Sequence, residues 1–122
     1  MKIKTGELSG SNLDWAVAVA LGAHGQETGS EKINGCKHWV VPGFEPMRWD
    51  NWTPSWDWRQ GGKLIASHAI GFVGHDADNW QAFSSPEDVT YQGVGPTHLI
   101  AACRMIVSAK LGDEIEVPEE LV

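Results

Sequence analysis

Apolar residues recur at helical spacing in two places along the chain. Leu13, Val17, Ala20 and Leu21 follow i, i+4, i+7 and i+8, which predicts a helix over residues 12–21. Ser11 is placed to cap it, Asp14 falls in the first turn, and Gly22 is placed to end it. Ala16, Ala18 and Ala20 keep that helix slim enough for close packing. A second stripe runs through Ile100, Cys103, Val107 and Leu111, with Leu99 and Ile106 beside it, and predicts a helix over residues 98–111. Thr97 after Pro96 supplies its N-cap and Gly112 its stop, while Lys110 suits the negative end of the helix dipole.

Between these helices the pattern is shorter and less regular. Residues 36–41 read as a strand halted by Pro42-Gly43, and residues 69–73 and 80–83 read as two more. Residues 61–68 read as a short helix. The stretch His75-Asp76-Ala77-Asp78-Asn79 lacks the later Gly and Glu of a calcium loop and reads as a polar turn. After Gly112, Ile115 and Val117 alternate with Glu ahead of Pro118, as a short strand or an extended arm. The fold class predicted is α+β. Two main helices pack on one face of a small, mostly antiparallel sheet, joined by long Trp- and Gly-rich loops. The whole chain, 1–122, reads as a single domain with an acidic C-terminal arm over 111–122.

Charge narrows the choice of partner. The net charge is −7, and Asp113, Glu114, Glu116, Glu119 and Glu120 place −5 of it in the tail, leaving −2 on the body. No Lys or Arg falls between Lys63 and Arg104. A long nucleic-acid track needs a continuous basic face to displace counterions, so long nucleic acid is not an expected partner. A small anion needs only two or three converging donors, which Arg48, Arg59, Lys63 and Arg104 could supply. No apolar run is long enough to span a membrane, and the first residues lack the apolar core of a signal peptide. The expectation is a cytoplasmic protein with Cys36 and Cys103 as free thiols. No cofactor is implied, and homo-oligomer formation stays open.

Candidate chemistry concentrates in residues 49–63. Trp49, Trp52, Trp56 and Trp58 crowd into ten residues beside Pro54, Asp57, Arg59, Gly61, Gly62 and Lys63. Indoles of this number act either as wedges pinning a loop or as a stacking platform for a flat ligand. Gly61 and Gly62 would let backbone N–H groups approach a phosphate, with Arg59 and Lys63 flanking them. Asp57 either bonds turn amides or reads donors on a ligand. Arg104, which interrupts an apolar stripe, points into a cleft or pairs with a carboxylate such as Asp57. Cys36 and His38 share a strand face and could form half a zinc site or a nucleophile–base pair. A metal site needs more ligands than this spacing provides, so none is expected. No hydrolase, zincin or phosphate-loop motif is present, so no catalytic residue is nominated.

Leu13-Asp14-Trp15-Ala16-Val17-Ala18; Pro54-Ser55 with Asp57-Trp58 and Gln60-Gly61-Gly62; Trp80-Gln81-Ala82; and Leu99-Ile100-Ala101-Ala102 through Arg104 to Lys110-Leu111-Gly112-Asp113-Glu114 and Val117-Pro118 form several ordered blocks. Together they resemble the NinX family, a lambdoid-phage accessory family of unknown function. Trp52, Thr53, Trp56 and Lys63 depart from the family pattern, which has tyrosine, serine, threonine and proline there. The resemblance implies a phage origin and supplies no catalytic residue. The functional expectation is a non-catalytic protein that captures a small nucleotide-like molecule, such as a host immune signal. The residues nominated are Trp52, Ser55, Trp56, Asp57, Trp58, Arg59, Gly61, Gly62, Lys63 and Arg104. The alternatives are an adaptor or inhibitor that docks on a host or phage protein through an exposed Trp patch, and a small enzyme of unknown reaction. A concave Trp segment would favour the ligand, and a flat exposed one the adaptor.

Overall fold

A computed structural model describes residues 1–25, 38–45, 47–48, 51–85 and 90–121. Cys36, Trp49 and residues 86–89 lie outside them, as does the N-terminal part of the strand expected over 36–41.

Helix α3 (His98–Leu111) has the predicted bounds. The Thr97 hydroxyl accepts from the Ile100 N–H at 3.1 Å, and Gly112 ends the helix at φ +93°, a conformation only glycine adopts without strain. Its burial is wider than one stripe: Leu99, Ala101, Ala102, Cys103, Met105, Ile106 and Val107 are all buried, while Leu111 is exposed. The reason is position. Helix α3 packs against α1 (Gly10–Ala20), against α2 (Trp58–Ser67), and against two strands of a sheet.

Helix α1 begins earlier than expected. Ser9, not Ser11, is the N-cap, because the Asn12 side chain reaches back to accept from the Ser9 N–H at 2.8 Å. Leu13, Ala16, Val17 and Ala18 are buried and Gly22 terminates the helix at φ +84°. Helix α2 also begins earlier than the predicted residue 61, since Asp57 caps it by accepting from the Arg59 N–H at 2.9 Å.

The strands form three small antiparallel ladders. Strand β1 (Lys2–Lys4) pairs with β8 (Glu114–Glu116), Ile3 opposite Ile115. Strands β2 (His24–Gly25), β3 (His38–Val40) and β4 (Met47–Arg48) form the second. The third is a meander of β5 (Gly71–Asp76), β6 (Asn79–Ser84) and β7 (Tyr91–Gly95), with the predicted polar turn closing its first hairpin. The α+β class holds, and α3 covers the meander while α1 and α2 pack on α3.

Strand β7 was not expected, because Gly93 and Gly95 weaken a strand pattern. Their role is steric. A Cβ on Gly93 would collide with the backbone of Ala101 and Met105, so the missing side chain lets α3 lie directly on the strand. The acidic C-terminal segment is built into the fold rather than standing out as an arm. Ile115 and Val117 are buried, and the Val117 N–H donates to the Met1 carbonyl at 2.9 Å.

Candidate functional site

Residues 51–57, between β4 and α2, are held from beneath by Asp14. That carboxylate is buried at the α1 surface and accepts from the Ser55 N–H at 2.9 Å, while the Asp14 carbonyl accepts from the Trp52 indole N–H at 2.8 Å. Burial disfavours the charged form and pushes the Asp14 carboxyl up to about 6, against the lowering effect of the Ser55 hydrogen bonds. Gln60 fixes the same loop from the helix side. Its side-chain oxygen accepts from the Thr53 N–H at 2.7 Å and its amide donates to the Asn51 carbonyl at 2.8 Å. Sequence reasoning placed Asp14 in the first turn of α1 without this role. The available signal was a carboxylate between Leu13 and Trp15 at the edge of an apolar stripe.

The nominated residues divide into two sets. Trp52 is only 1% exposed and packs edge-to-face on Phe44, with ring centroids 5.1 Å apart. It is an anchor rather than a stacking surface, because its one polar atom is consumed by Asp14. Ser55 is buried for the same reason. Gly61 and Gly62 lie inside α2, not in a loop. The Gly61 N–H is donated to the Asp57 carbonyl at 2.8 Å, so it offers nothing to a phosphate. A Cβ on Gly61 would stand 2.5 Å from the Leu99 side chain and 2.6 Å from the Pro54 carbonyl oxygen, so this glycine is a packing contact with α3 and the loop. Arg104 is not paired with Asp57. It donates from Nε to the Leu8 carbonyl at 3.0 Å and from Nη1 to the Val94 carbonyl at 2.8 Å, and lines a separate cleft with Lys4, Glu7 and Asp113. Partial burial lowers its pKa from the ordinary guanidinium value.

The second set stays together at the surface. Trp56, Asp57, Arg59 and Lys63 line an open groove of about 770 Å³ with Phe44 and Gln60. Trp56 is 69% exposed. Asp57 and Arg59 form an ion pair at 3.2 Å, and the Arg59 side chain followed by its N–H holds the Asp57 carboxyl below its ordinary range. Lys63 donates to the Gly43 carbonyl and sits 4.5 Å from the centre of the Phe44 ring. Both cations therefore have partners inside the molecule. Trp58 is 58% exposed and borders a different aromatic group: His98 lies 6.0 Å from it, 5.0 Å from Phe72 and 3.8 Å from Trp80 between ring centroids. His98 was not singled out for this; its spacing from Trp58 and Trp80 in sequence gives no hint of the cluster.

The zinc or nucleophile pairing of Cys36 with His38 falls partly outside the described residues. Among the described residues no group of three or more His, Cys, Asp or Glu is placed to hold a metal ion. Cys103 is a free, buried thiol whose pKa is pushed up by burial first and the Asp14 charge second. No described helix is long and apolar enough to cross a membrane.

The fold and this surface define a small α+β protein that presents two indoles on a backbone locked from the core side. The chain belongs to the bacteriophage P22 NinX family, whose sequence model matches residues 4–110. No curated protein matches it.

Proposed function

We propose that this chain is a non-catalytic binding protein that docks on a host or phage protein through Trp56 and Trp58, in the host cytoplasm during infection. The observation behind the reading is the contrast within one segment: Trp52 is 1% exposed, while Trp56 is 69% and Trp58 58% exposed. Indoles held in water on a locked backbone lose little freedom on association and bury a large area. Trp and Arg are also the residues most enriched among interface hot spots. Arg59 and Lys63, already partnered, act as a polar rim around the indoles rather than as a phosphate clamp.

The test is affinity capture from infected cells with the wild-type chain and a Trp56→Ala/Trp58→Ala variant, read by quantitative mass spectrometry. The expected result is one protein partner depleted about tenfold or more in the variant, the size of loss typical of hot-spot truncation. Thermal melting should stay close to wild type, because surface changes of this kind cost within about 0.5 kcal/mol. Trp52→Ala should instead cost about 3–5 kcal/mol of stability, as an indole removed from a core. An unchanged partner profile in the folded double variant would overturn the adaptor reading.

The second reading is capture of a small nucleotide-like molecule, such as a host immune signal, and is favoured by the groove's volume of about 770 Å³ with Trp56 in its wall. A base would stack on Trp56 while Asp57 accepts from its exocyclic donors. Native mass spectrometry separates the two. A small molecule that co-purifies, and is lost in Trp56→Ala but kept in Trp58→Ala, would select this reading.

A further inference from the structure

The meander has two edge strands, and they are finished differently. Strand β5 carries a register shift between Gly74 and Asp76 and ends on a charged residue. Both are devices that keep a sheet edge from pairing with another chain. Strand β7 has neither. It stays in register with β6 from Tyr91 to Gly95 and contains no charged residue. Among the described residues no strand pairs with its other side.

That open edge is one wall of the Arg104 cleft, about 730 Å³ in volume. Residues 92–96 line the cleft in unbroken succession, and residues 4–7, from the end of β1 through the turn Thr5–Glu7, line it opposite. Arg104 and Ser108, one helical turn apart on α3, form the floor. Two consecutive backbone runs facing each other make a slot shaped for an extended chain.

Arg104 shows which backbone groups face the slot. Its Nε donates to the Leu8 carbonyl at 3.0 Å and its Nη1 to the Val94 carbonyl at 2.8 Å, so it approaches β7 from the side away from β6. The Val94 carbonyl therefore points off the sheet. The N–H and C=O of one strand residue point the same way, and alternate residues share the direction. The Val94 N–H and the Gln92 N–H and carbonyl consequently face the slot as well. Outside the ladder, no described backbone group takes them. Pro96, which has no N–H, ends the run.

We propose that this slot takes one extended segment of another protein, which adds as a strand to β7 by pairing with Gln92 and the Val94 N–H. A second copy of this chain does not fit, because the sheet behind its own edge would collide with residues 4–7. The segment carries small side chains at alternate positions. Helix α3 lies so close to the sheet that a Cβ on Gly93 would stand 2.3 Å from the Met105 nitrogen, so side chains that face the helix must be short. The others face outward beside the exposed Val94. This slot is separate from Trp56 and Trp58 and does not rest on the reading of that surface.

The test is selection of short linear peptides from a random display library on the full chain, then titration of the best synthetic peptide into ¹⁵N-labelled protein. Saturable amide shifts are expected at Gln92, Val94 and Gly6, with hydrogen exchange at Gln92 and Val94 slowed about tenfold or more. N-methylation along the peptide should weaken binding about tenfold at alternate positions and little between them, the period of an added strand. Val94→Pro removes an edge N–H that the ladder does not use, so it should melt near wild type and weaken the peptide about tenfold. Gly6→Trp fills the slot from the far wall, where a Cβ meets nothing within 4 Å, and should weaken it as much. That variant decides alone if Val94→Pro does not fold. Trp56→Ala/Trp58→Ala should bind the peptide as wild type does. The proposal is overturned if no peptide is selected, if the shifts fall on the Trp56 groove, if the Gln92 and Val94 amides already exchange slowly in the free chain, or if either folded slot variant binds unchanged. A dimer in sedimentation that Gly6→Trp dissolves would assign the edge to a second copy and overturn it too.

Discussion

The buried carboxylate of Asp14 should act against the fold at neutral pH. Its pKa rises from the ordinary 3.8 to about 6 on folding, so the folded state holds this proton more tightly than the unfolded chain does. Stability contributed by Asp14 is therefore greatest below pH 4 and declines as pH rises through the window from about 4 to about 6. The shift of roughly two units corresponds to about 3 kcal/mol at neutral pH. Asp14→Asn removes the charge and keeps an oxygen to accept from the Ser55 N–H. Other carboxylates titrate in the same range, so the quantity to measure is the difference between the wild type and Asp14→Asn. Urea unfolding followed by Trp fluorescence from pH 4 to pH 7.5 gives it directly. The wild type should lose about 2–2.5 kcal/mol relative to the variant between the two ends, the rest of the shift falling below pH 4. A difference curve that is flat across that window, or one that rises with pH, would refute the claim that Asp14 is charged at a desolvation cost.

Three further changes follow from backbone geometry. Gly61→Ala should destabilise by more than about 1–3 kcal/mol, because its Cβ meets the Leu99 side chain and the Pro54 carbonyl. The neighbouring Gly62→Ala should be neutral or stabilising by up to about 1 kcal/mol, since its Cβ would stand 3.8 Å from Trp58 in ordinary contact. Equal effects in thermal melting would contradict the packing described for the pair. Ala69→Gly should stabilise by about 0.5–1 kcal/mol, the relief of left-handed strain offset in part by a more flexible unfolded chain; a lower melting temperature would show that the Ala69 side chain makes a contact worth more than its strain.

Elements whose signal is local were readable from the sequence. Helix α3 has both caps and a clear apolar period, so its bounds at His98 and Leu111 were legible to the residue. The hairpin of β5 and β6 was legible for the same reason. Strand β7 was not, because Gly93 and Gly95 carry information about a helix lying across them and none about their own strand. The site was legible in place and not in orientation. Four indoles in ten residues mark a special surface, yet nothing local separates Trp52, turned into the core, from Trp56, turned out. That choice is made by Asp14, 38 residues away, through one hydrogen bond to the indole. Gly61 and Gly62 misled because a glycine pair serves phosphate approach and helix packing equally well, and only the Leu99 contact from α3 decides between them.

The central place of α3 has a consequence during synthesis. Helix α1, helix α2 and the β5–β6–β7 meander each bury their apolar faces on α3, which occupies residues 98–111. At translation speeds of about 5–20 residues per second, the wait for that surface is roughly 5–20 s for α1 and shortens to about 1–3 s for the meander. Until α3 emerges Leu13, Val17 and, later, Ile70 have no core to enter, and the nascent chain carries open apolar faces on the ribosome. Folding of this protein is therefore gated by elongation, and mutations or codon changes that slow passage through α3 should raise its dependence on trigger-type chaperones without touching the stability of the finished molecule.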